Sequence, residues 1–165
     1  MQTRFPLAVR IAQSLLPLAG VLAPLIALVR MVLWSPNVPY SDEWDWTALA
    51  AGMRTGTLRW DDLWTPHNGH RELVANLVFV AIDRLGGWNV VREELVGLAC
   101  IIAGLLALYR LAYRTMEPLA AGATFAISAW LIAGPITFES ALIGSNLGWP
   151  LSAAAMLIAA ERLST

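Results

Sequence analysis

Two short stretches hold most of the residues able to do chemistry. The first is Ser41-Asp42-Glu43-Trp44-Asp45-Trp46, which packs three carboxylates and two indoles into six positions. The second is Trp60-Asp61-Asp62-Leu63-Trp64-Thr65-Pro66-His67-Asn68-Gly69-His70-Arg71-Glu72. A carboxylate beside indole surface loses part of its hydration and becomes a better proton acceptor, as a general base requires. Adjacent acids can also hold a cation that carries a phosphate. The competing reading needs no chemistry. Ser41 is a good N-cap, Asp42 and Glu43 then sit in a first turn that suits acids, and Gly56 is a good C-terminal stop. Trp44, Ala48, Ala51 and Thr55 recur at helical spacing in between.

His67 and His70 invite a metal, but their spacing is not that of a zinc protease, which places His at i and i+4 on a helix. No Cys lies near, and Pro66 and Gly69 imply a turn. Contacts to sugar hydroxyls or a phosphate suit these residues better, with Arg71 as the phosphate partner. No metal ligand set is assigned, and no cofactor is required; a divalent cation is compatible with the acids.

The elements that must position these residues are apolar helices. Ile11–Val29 is a run of 19 uncharged residues, roughly 28 Å of helix and close to the thickness of a hydrocarbon core. Pro17 and Pro24 inside it suggest a kink. The run exceeds a usual signal-peptide core and no small-residue cleavage site follows, so an uncleaved anchor over 11–34 is expected. Residues 35–91 form a polar interval. Within it, 73–82 is apolar, yet ten residues reach only about 15 Å. The pattern predicts a helix over 72–85 lying along the membrane surface. Leu73, Leu77, Val80, Ala81 and Leu85 share one side; Glu72, Asn76 and Asp83 share another. Further spans are expected at 92–114, 118–138 and 149–162. Glu139, Ser140 and Asn146 stand out between the last two, and Gly144 and Gly148 have the spacing of a helix-packing motif.

Flanking charge gives an orientation. Arg4, Arg10, Arg110, Arg114 and Arg162 all fall inside if the N-terminus is cytoplasmic and the chain crosses four times. Trp34, Trp88 and Trp149 then mark the outer interface, and the loop between Trp34 and Trp88 lies outside. Composition agrees. Of the 165 residues 58% are hydrophobic and 14% charged, with a net charge of −1. A balance of that kind leaves no basic footprint for nucleic acid, and the single Cys100 forms no internal disulfide. The expected fold is all-α: a polytopic membrane helix bundle of about four spans, with one or two juxtamembrane helices in the first outer loop.

The order of features resembles the N-terminal part of GT-C glycosyltransferases, above all protein O-mannosyltransferases and bacterial lipid A aminoarabinose transferases. The likeness rests on one span, the Asp42-Glu43 pair, a small helix ending at Gly56, the His-bearing turn at 66–71, a helix closing at Gly86-Gly87-Trp88, and Arg92 opening the next span. It covers roughly residues 1–115. The resemblance implies a sugar donor on polyprenyl phosphate, Asp42 as the base that activates an acceptor hydroxyl or amine, and Glu43 as its helper. It also implies that His70, Arg71 and Arg92 contact the donor phosphate, with His67 a substrate contact from the turn itself, and that the protein sits in a bacterial inner membrane. Enzymes of that group have many more spans, so the 165 residues are expected to be an N-terminal piece that is inactive alone. The other reading is a small non-catalytic four-span protein whose Trp-rich outer loop binds a partner, since Trp is common at interface hot spots.

Overall fold

The computed structural model describes residues 6–67, 69–134 and 147–164, leaving out the side chain of His70. Among them the chain is helical apart from one small hairpin. In order come α1 (Leu7–Trp34), α2 (Glu43–Thr55), α3 (Trp60–Trp64), β1 (Pro66–His67), β2 (His70–Arg71), α4 (Leu73–Gly86), α5 (Val90–Thr115), α6 (Pro118–Ala133) and α7 (Gly148–Leu163).

α1, α5, α6 and α7 pack side by side. The end of α1 meets the start of α5, where Ser35 Oγ donates to Glu94 Oε1 at 2.7 Å and Val90 N donates to Asn37 Oδ1 at 2.9 Å. Asn89 caps α5 by accepting from Arg92 N at 3.0 Å. Gly20 of α1 lies against Phe125 of α6, and Gly122 of α6 against Leu16 and Pro17, so these two helices run the same way. At the far end Arg114 and Glu161 pair at 2.7 Å and join the last turns of α5 and α7. The four helices therefore alternate in direction along the chain. Trp34, Trp88 and Trp149 stand at one end, and Arg10, Arg110, Arg114 and Arg162 at the other.

Small residues bring the backbones together, as they do where helices pack by close van der Waals contact and not by a hydrophobic driving force. α1 buries Gly20, Ala23 and Ala27, and α6 buries Ala121, Gly122, Ala126, Ala129 and Ala133. A Cβ on Gly20 would stand 2.6 Å from Phe125 Cε1. Met31, Leu98, Ile101, Leu105 and Phe125 fill the centre. The Gly144–Gly148 spacing falls partly outside the described residues. A Cβ on Gly148 would meet nothing within 4 Å. Gly20, Gly104 and Gly122 make the close approaches.

α1 and α5 are long and apolar enough to cross a membrane, each with a mean hydropathy of 2.2 over its best window. α1 is one continuous helix through Pro17 and Pro24. α6 and α7 are shorter, at 16 residues each. The outward side of α1 is apolar along its length, with Leu15, Leu18, Val21, Leu25 and Val32 exposed.

α2, α3 and α4 form a second cluster at the Trp end. Trp46, Leu49, Leu63, Ala75 and Phe79 are its core, with the Trp46 and Phe79 rings 4.7 Å apart. The sides of α2 and α4 that pack into this cluster are not their most apolar stripes. α4 buries Asn76, Phe79 and Asp83 and turns Val74, Leu77 and Leu85 outward, Leu85 being 90% exposed. Asn76 turns inward because its Nδ2 donates to the Leu63 carbonyl at 3.0 Å, and Asp83 because it takes Arg54 at 3.3 Å. α2 buries Glu43, Trp46, Leu49 and Ala50, whereas Trp44, Ala48, Ala51 and Thr55 face outward. Periodicity finds the faces of a helix but not which medium covers each one.

Candidate functional site

The chain leaves α1 at Ser35 and reaches α2 through a tight turn. Ser41 adopts φ 51°, unusual for a residue with a Cβ, and is not the N-cap that its type suggests. Its hydroxyl is directed to Asp42 Oδ1 at 3.4 Å. Asp42 stands at the N-cap without a side-chain cap bond, and Glu43 Oε2 accepts from Tyr40 N at 2.8 Å, tying the preceding turn to the start of α2. Asp42 and Glu43, adjacent in sequence, thus part ways. Glu43 is 1% exposed, while about half of the Asp42 side chain faces solvent.

The hairpin brings the second stretch to the first. β1 and β2 pair antiparallel, with Pro66 opposite Arg71 and His67 opposite His70. Gly69 takes φ 84° at the turn, a conformation natural to glycine. In consequence His67 reaches α2. Its Nε2 lies 3.3 Å from Asp42 Oδ2 and its Nδ1 lies 3.2 Å from Asp45 Oδ2. Both nitrogens face carboxylates, and the ring satisfies both contacts as a donor only when each nitrogen carries a proton. Asp42 and Asp45 are three apart on one helical face, which is why one imidazole spans them. Asp45 is a site residue that the sequence motif held but spacing alone did not single out. Beside His67 and Asp45 opens a groove of about 550 Å³ whose lining includes Trp46, Asp62 and Asn76.

The other expected substrate contacts separate. Arg71 lies on the opposite strand register from His67. Its guanidinium donates to the Trp64 carbonyl and stacks over the Trp64 ring at 5.1 Å. It heads a second groove of about 700 Å³, lined mainly by apolar residues such as Leu73, Val74, Trp149 and Met156. Arg92 is not drawn to Asp42. Its guanidinium donates to the Gly86 and Gly87 carbonyls and closes α4 against α5, the usual service of a cation at a helix C-terminus. The His70 side chain, Glu139, Ser140 and Asn146 lie outside what is described.

A group of buried carboxylates was read only in part from the sequence, which singled out Glu43 and Asp83 but neither Glu93 nor Glu94. Glu43, Asp83, Glu93 and Glu94 are all buried, and Glu93 is within electrostatic reach of the other three. Arg54 pairs with Asp83, and Ser35 with Glu94. The Trp88 indole N–H faces Glu93, and Glu93 Oε2, Asp83 Oδ2 and Glu94 Oε2 have no hydrogen-bond partner among the described residues. The only signal for Glu93 and Glu94 was their pairing at the very start of an apolar helix. Among the described residues no group of three His, Cys, Asp or Glu is arranged to hold a metal ion.

Compared with family models, curated proteins and solved structures, the chain matches none.

Proposed function

We propose that the chain is a membrane glycosyltransferase of GT-C type, or the N-terminal part of one, which moves a sugar from polyprenyl phosphate to an acceptor at the outer face of a bacterial inner membrane. The observation that carries this is the solvent-facing Asp42 carboxylate held by His67 directly after α1. A base of this kind accepts the acceptor's proton as the acceptor oxygen or nitrogen bonds to the sugar carbon. The bond from that carbon to the phosphate oxygen breaks, and polyprenyl phosphate departs with the electron pair. Negative charge grows on the leaving phosphate, where a guanidinium is worth most. Arg71, at the head of an apolar groove, suits a phosphate on an isoprenoid chain.

In this proposal α1, α5, α6 and α7 are four spans with a cytoplasmic N-terminus. Their alternating directions, the three Trp at one end and the Arg residues at the other support it. The outward Leu77 and Leu85 of α4 then rest on lipid, and the helix lies along the membrane surface.

A specific observation favours partner binding as the second reading: Trp44 and Trp60 stand exposed on the outer cluster. A photoreactive polyprenyl phosphate added to membranes holding the protein separates the two. Transfer chemistry predicts a saturable cross-link to α4 or α7 that weakens at least tenfold in Arg71→Ala. A cross-link that is absent, or indifferent to Arg71→Ala, favours the partner-binding protein.

A further inference from the structure

At the junction of α1, α2 and α5 there is a pocket of about 380 Å³, separate from both grooves described above. Its walls include Trp34, Ser35, Tyr40, Glu43, Val90 and Glu94. Two of these are carboxylates withdrawn from water, Glu43 at 1% and Glu94 at 6% exposure. Glu94 Oε1 takes the Ser35 hydroxyl, but Glu94 Oε2 is buried with no hydrogen-bond partner among the described residues. A buried carboxylate oxygen in that condition is costly, and a cation placed against it removes the cost. The pocket also sits on the last turn of α1, whose final carbonyls form the negative end of a helix dipole.

We infer that this pocket binds a primary ammonium group. The lining distinguishes this from a metal ion. Divalent cations want several oxygens in a compact shell, whereas here two carboxylates and a hydroxyl sit among aromatic and aliphatic walls. An ammonium brings three N–H donors, one of them for Glu94 Oε2, and its alkyl stem suits Trp34, Tyr40 and Val90. Trp and Tyr faces add attraction for a cation. The ammonium can belong to a lipid headgroup or to a free amine in solution. The inference stands apart from the transferase proposal, because it uses neither Asp42, His67 nor Arg71.

The test uses the full chain in phosphatidylcholine nanodiscs, whose headgroup lacks an N–H donor. Propylammonium titrated at neutral pH should raise the thermal unfolding midpoint saturably, and 1-propanol should not. Glu94→Gln should weaken the response at least tenfold, and Asp61→Asn, an exposed acid, should leave it unchanged. If Glu94→Gln does not fold, the contrast between propylammonium and 1-propanol on the native chain still decides. Equal responses to amine and alcohol, no saturable response, or a folded Glu94→Gln that responds normally would each overturn the inference. Phosphatidylethanolamine added to the nanodiscs then identifies the source. Loss of the response to soluble amine points to the lipid headgroup; a retained response points to a free amine.

Discussion

His67 lies between Asp42 and Asp45, its Nε2 3.3 Å from one carboxylate and its Nδ1 3.2 Å from the other. The residues come from segments 25 positions apart for the first pair, and a two-stranded hairpin is what closes that gap. The contact fixes where Asp42 points.

His67→Ala should therefore cost function more than stability. The pairs are partly solvent-exposed, and exposed ion pairs contribute about 0.2–1 kcal/mol. Without the imidazole, Asp42 and Asp45 repel and the hairpin loses its tie to α2. Donor turnover in membranes should fall at least tenfold while the thermal midpoint moves by only a few degrees. Equal turnover in the variant would show that His67 does not position Asp42.

Arg54 and Arg59 offer a contrast in what an ion pair is worth. Arg54 pairs with an Asp83 whose side chain is 1% exposed, whereas Arg59 and Asp61 are both exposed. Arg54→Ala leaves a buried acid with its partner removed and should destabilise by about 1–3 kcal/mol. Arg59→Ala should stay within about 0.5 kcal/mol. Chemical unfolding of the two variants in detergent compares them directly.

Gly20 and Gly148 should respond in opposite ways to the same added methyl. Gly20→Ala drives a Cβ into the Phe125 ring and against the Ala126 backbone, and overpacking of this kind costs about 1–3 kcal/mol. Gly148→Ala meets open space and should be neutral or slightly stabilising. A neutral Gly20→Ala in a thermal melt would show that α1 and α6 pack less closely than described.

Orientation is open to direct labelling. In a Cys100→Ala background, a membrane-impermeant maleimide applied outside should label a Cys at position 57 and spare one at position 115. The expectation rests on Arg110 and Arg114 lying at the end opposite the three Trp. The reverse pattern would turn the four-span proposal over.

The long helices were legible because their signal is dense. Ile11–Val29 carries no charge at all, and Gly56 stops α2 in a left-handed conformation, as its type suggests. Burial was less legible. In α4 the leucine stripe is real, but a stripe faces whatever is apolar, and Asn76 and Asp83 had specific partners, the Leu63 carbonyl and Arg54, in elements distant in sequence. Ser41 carried the composition of an N-cap, yet α2 starts one residue later with Asp42 in that place, while Glu43 holds the turn before it through Tyr40 N. The acidic pair and the His turn were recognisable as a site; that His67 meets Asp42, while Arg71 turns to Trp64 and Arg92 to the end of α4, depended on strand register and on helix ends, which local spacing does not encode.

The central claim is that Asp42 is the base of a sugar transfer, and one measurement meets it most directly. Native membranes carrying the gene's whole product are given a radiolabelled polyprenyl-phosphate sugar, and release of polyprenyl phosphate is followed with Asp42 intact, with Asp42→Asn, and with Asp61→Asn. Asp42→Asn keeps the shape of the side chain and removes the proton acceptor. It should reduce release about a hundredfold or more, as loss of a general base does, with expression and membrane insertion unchanged, while Asp61→Asn behaves as native. Release at the native rate from Asp42→Asn would contradict the account and leave Asp42 as an acid at the start of a helix.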